Sequence, residues 1–86
     1  GHMKLYVSSA TGSIYDENTL RESFFMMRNA APREYDYSSD EYIRRKVEDK
    51  QELYELTPEQ MMSIMVSLLA ANKREQAREL AVAWRA

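Results

Sequence analysis

The stretch that decides the fold runs Leu56-Thr57-Pro58-Glu59-Gln60-Met61-Met62-Ser63-Ile64-Met65-Val66-Ser67-Leu68-Leu69-Ala70-Ala71-Asn72-Lys73-Arg74. It opens with a complete helix-start signal. Thr57 can accept from a first-turn N–H, Pro58 takes the first helical position, and Gln60 reaches back to close a capping box. Leu56, just outside, can staple onto Met61. The helix that follows is apolar over most of its circumference, through Met61, Met62, Ile64, Met65, Val66, Leu68 and Leu69. Only Ser63, Ser67 and Ala70 give it a small-residue side. Such a helix needs cover nearly all round, so it is expected at the centre of the fold.

Working outward, Asn72 is placed to close that helix and, with Glu75 three residues on, to cap another. Ala77, Leu80, Ala81 and Trp84 then recur with helical spacing. Two antiparallel helices joined by a short turn are therefore expected, in place of one unbroken helix from Pro58 to Arg85. Upstream, Ser38 and Glu41 have capping-box spacing and predict a helix running to about Leu53. Its apolar face is thin, consisting of Ile43, Val47 and Tyr54, and Glu41, Glu48, Glu52 and Glu55 form an acidic row on another. Arg33 to Tyr37 reads as a linker. Before it, Asp16 stands as the N-cap of a helix ending near Asn29 or Ala30, which Pro32 terminates. Leu20, Phe24, Met27 and Ala31 share one face of that helix, leaving Phe25 and Met26 off it. Lys4 to Ser8 and Ser13 to Tyr15 read as strands of a hairpin, with Gly12 supplying the positive φ its turn requires.

The expected class is thus α+β and predominantly helical. An N-terminal β-hairpin packs on three to four helices, the last two forming an antiparallel helical hairpin. Gly1 and His2 read as a cloning scar ahead of Met3, which leaves residues 3–86 as one small domain. Of the 86 residues 44% are hydrophobic and 30% charged, which favours a folded domain over a disordered one. No segment approaches the roughly 18 uninterrupted apolar residues of a membrane span, and no basic-then-apolar leader is seen. A cytoplasmic protein is the expectation.

Composition also narrows the chemistry. The chain has no cysteine, and its one histidine is His2. Disulfides, thiolate metal sites and nucleophile–imidazole pairs are therefore excluded. Apart from Gly1, Gly12 is the only glycine, so there is no phosphate-cradling loop. Glu48, Asp49, Glu52 and Glu55 offer carboxylates, but their spacing matches no calcium loop and fits a solvated helix face better. No catalytic residue, cofactor or metal is expected, and no motif is specific to a known family.

Interaction is what remains. The formal net charge is −2, with four basic and nine acidic groups in residues 34–59, a local net of −5. Arg74, Arg78 and Arg85 share one side of the last helix. They would suit phosphate contacts and raise an alternative reading, a nucleic-acid-binding regulator using the C-terminal helix pair. The acidic total and the glycine-free turn weigh against it. Glu48, Glu52 and Glu55 are opposite in sign, so the two rows are candidates to meet each other or a charged partner. Tyr35, Tyr37, Tyr42 and Tyr54 stud the acidic block and would suit either a recognition surface or the rim of a small core. Phe25 and Met26, with Met61, Met62, Met65 and Leu69, are the candidates for a partner or a second copy. Methionine adapts to partner surfaces, although core filling competes as an account. The favoured function is a non-enzymatic, self-associating accessory or regulatory protein, a homodimer that also meets another protein. A phage or mobile-element origin would fit its size.

Overall fold

The computed structural model describes residues 3–85; the scar reading of Gly1 and His2 lies outside them. The fold is α+β. Strands β1 (Leu5–Ser8) and β2 (Ile14–Asp16) precede helix α1 (Glu17–Ala30) and helix α2 (Ser39–Arg44). A π-helical turn (Arg45–Asp49) then leads into strand β3 (Leu53–Glu55), helix α3 (Pro58–Ala70) and helix α4 (Arg74–Arg85). The three strands form one antiparallel sheet in the order β2-β1-β3.

The third strand corrects the expected long helix. The helix that starts at Ser38, whose side chain accepts from the Glu41 N–H, widens at Arg45, where the Lys50 N–H reaches the Arg45 carbonyl at 2.9 Å. Gln51 then reverses the chain at φ +53°. Leu53, Tyr54 and Glu55 pair with Ser8, Val7 and Tyr6, and Leu56 N–H donates to Leu5 C=O at 2.8 Å. Continuing the helix would have left the second edge of β1 unpaired and sent Leu53 and Leu56 away from the sheet. Satisfying that buried backbone and both leucines outweighs a few residues of helix. The row of Glu48, Glu52 and Glu55 therefore does not exist as one helix face: Glu52 lies beyond the π-helical turn and Glu55 is on β3.

Alternation along β1 builds two cores. Tyr6 points to the face occupied by Leu20, Phe24, Tyr42, Ile43 and Leu53. Leu5 and Val7 point to the other face, where Leu56, Met61 and Leu80 meet them. The strand is buried on both sides, which is why it reads as an unbroken apolar run. Tyr35 and Tyr37 lean on the first core, so three of the four tyrosines of the acidic block are packed and only Tyr54 is exposed. Met27, expected on the buried face of α1, is 44% exposed because only Leu20 and Phe24 reach the sheet.

Local start and stop signals are where they were expected. Asp16 accepts from Thr19 N–H at 2.7 Å, and Thr57 and Gln60 exchange both capping-box bonds. Gly12 has φ +75°. Asn72, at φ +58°, closes α3 in a Schellman motif: Lys73 N–H donates to Leu68 C=O at 2.8 Å and Asn72 N–H to Leu69 C=O at 3.0 Å. It does not also cap α4, since Lys73 supplies the first carbonyl, accepting from Ala77 N–H.

Placement of α3 at the centre is overturned. Only Met61 of this helix is buried, and Ile64, Met65 and Leu68 are only partly covered against the Leu5 and Val7 face. The radius of gyration, 14.5 Å, exceeds the about 12 Å of a compact chain this long. A three-stranded sheet is too narrow to wrap a helix, so the helical hairpin rests against it and leaves a side bare.

Candidate interaction surfaces

The sequence-derived apolar candidates separate cleanly. Met61 is 6% exposed and belongs to the chain's own core, held there by its staple to Leu56, so it is not available to a partner. Met65 is half-buried against the same cluster. Met62 and Leu69 are 66% and 55% exposed, and Val66 between them is 62% exposed. These three sit at i, i+4 and i+7, within about 60° on the outward side of α3. Val66 was missed as a site residue, although its four-residue offset from Met62 was the available signal. Val82, on the outer side of α4, was missed as well. Phe25 and Met26 are exposed on α1, in the layer across the sheet from α3.

The charged candidates do not converge. Arg44 makes a bidentate pair with Glu41 at 2.8 and 2.9 Å and also holds Glu48 and Asp49. Lys46 holds Glu52 at 2.9 Å. The acidic block thus carries its own counter-charges, and Glu55 is exposed on β3 opposite Tyr6. Arg74, Arg78 and Arg85 are exposed on α4 and enter no ion pair among the described residues. The two rows do not meet within one chain. Arg21 ties α1 to α2 through Asp40 and the Ser39 hydroxyl while pairing with Glu17 of its own helix, and Arg45 lies 4.0 Å over the Tyr37 ring.

These contacts shift titrations in understandable directions. Hydrogen bonds from Arg44 and Arg45 hold the Glu41 carboxyl down at about 2, and Lys46 lowers Glu52. Asp40 and Glu17 raise Arg21, whereas burial first, then Glu17, raises the Tyr6 phenol. In the unfolded chain Glu41 regains its ordinary 4.5 and takes up a proton first. Stability is therefore expected to fall as pH drops from about 4.5 toward about 2. Thermal melts across that window check it. Because the pairs are solvated, the slope should shrink in added salt and flatten in Arg44→Met.

Two apolar hollows flank the hairpin where it meets the sheet, of about 410 and 420 Å³. Ile14 and Ile64 line both. Among the described residues no group of three or more metal-ligating side chains comes together, and no helix is long and apolar enough to cross a membrane. No family model matches this chain, and neither a curated protein nor a solved structure is detectably similar to it.

Proposed function

We propose that this chain is a non-enzymatic interaction module that self-associates through the outward face of α3 and serves as an accessory or regulatory protein. The supporting observation is the row Met62, Val66 and Leu69, three large apolar side chains more than half exposed along one helix. Contiguous apolar surface of this kind marks association sites, and each side chain gains about 1.5–3 kcal/mol when fully buried. A second copy presents the same row, so a two-fold contact of α3 against α3 covers both at once.

Sedimentation at micromolar concentration tests this. The wild-type chain is expected at twice its 10.1 kDa mass, and Val66→Glu at 10.1 kDa with an unchanged circular dichroism spectrum. A monomeric wild type overturns the reading. The exposed arginines of α4, which enter no ion pair among the described residues, favour a second reading, nucleic-acid binding. Salt-sensitive retention on duplex DNA, abolished by Arg78→Glu, would support that reading in its place.

A further inference from the structure

The inner side of the hairpin carries a different feature, an apolar cleft left open between α3, α4 and the sheet. Ile14 of β2 and Ile64 of α3 stand at the junction of its two compartments, each within the roughly 300–1,000 Å³ range of ligand sites. Leu68 and Leu80 line one compartment, and Tyr54 and Leu56 line the other. Every charged side chain lining the cleft is acidic: Asp16 and Glu79 in the first compartment, Glu59 in the second. Among the described residues, neither compartment has a lysine or arginine in its lining.

Among the described residues no strand pairs with the outer edge of β2 beside it. Ser8 N–H bonds to Ser13 C=O, and Tyr6 lies opposite Tyr15. In an antiparallel ladder this alternation turns the N–H and C=O of Ile14 outward, away from β1. A binding surface thus combines aliphatic hollows, carboxylates and a free backbone donor–acceptor pair.

From these features we infer that the cleft docks an extended segment of a partner protein in which the alternate residues that face the cleft are aliphatic, with lysine or arginine next to them on that same face. The aliphatic groups enter the compartments on either side of Ile14 and Ile64, the cations meet Asp16 and Glu79, and the main chain runs along the outer edge of β2. A second copy is a poor occupant. The basic residues of this chain that adjoin apolar ones are committed to its own fold: Lys4 leads into the central strand β1, and Arg21, Arg28, Arg44 to Val47 and Arg78 to Arg85 lie in helical structure. The site is independent of the α3–α3 contact and lies on the other side of the helix.

The test is fluorescence anisotropy with a short labelled peptide in which every second residue is valine or lysine and the residues between are threonine. Saturable binding is expected, at least tenfold weaker in Glu79→Lys and in Ile14→Ser, and unchanged in Val66→Glu. The matched valine–glutamate peptide should not bind. Glu79 is exposed on α4, so its variant keeps the fold even if Ile14→Ser does not. Absence of saturable binding overturns the inference, as does equal binding of the acidic peptide or indifference to Glu79→Lys. Loss of binding in Val66→Glu would assign the peptide to the dimer contact and overturn it too.

Discussion

Phe24→Ala is expected to lower the melting temperature by at least about 12 °C, from a loss of about 3–5 kcal/mol. Phe24 is fully buried, with ring centres 5.3 Å from Tyr42 and 5.8 Å from Tyr37. It is the side chain through which α1 lies on the sheet, and removing the ring leaves a cavity that the neighbouring tyrosines cannot fill without leaving their own places. A domain this long has about 4–13 kcal/mol of total stability, so the variant should be substantially unfolded at 37 °C. Urea unfolding followed by circular dichroism measures it. A shift of only a few degrees would mean that the first core does not depend on this ring.

Leu80→Ala should have a loss of similar size, about 2–5 kcal/mol, but a different distribution. Leu80 is the buried side chain by which α4 reaches Leu5 and Val7, next to Met61 from α3. Its loss is expected to free the hairpin before the sheet. Amide exchange should show protection falling across α3 and α4 while β1 and α1 retain theirs. Uniform loss throughout the chain would show that the two cores unfold as one unit.

The contrast between these two variants follows from a division that the sequence carries only partly. Helix boundaries were legible because their signals are local: Asp16, Thr57 with Gln60, and Asn72 each act within a few residues. The strand Leu53–Glu55 was not, because what makes it a strand is an unpaired edge of β1 far away in sequence. The unbroken run Leu5-Tyr6-Val7 was the available hint, since a hairpin strand with one wet face would alternate. Met61 was misassigned for a related reason. The apolar circumference of α3 showed how much cover the helix wants, but which residues obtain it depends on the width of a sheet that periodicity does not reveal. The Glu48, Glu52 and Glu55 row failed when the helical period was carried past Gln51, a non-glycine residue at positive φ that pattern reading had no means to foresee.

The position of β1 between β2 and β3 also has a consequence for birth on the ribosome. The first of the three strands to leave the tunnel is the one that must end in the middle, and β3 emerges only after α1 and α2. Until then the nascent chain can offer only a two-stranded ribbon, which is marginal in water by itself. Completion of the sheet must await the later segment, so Leu5 and Val7 stay without their final neighbours until the segment from Leu53 onward has emerged.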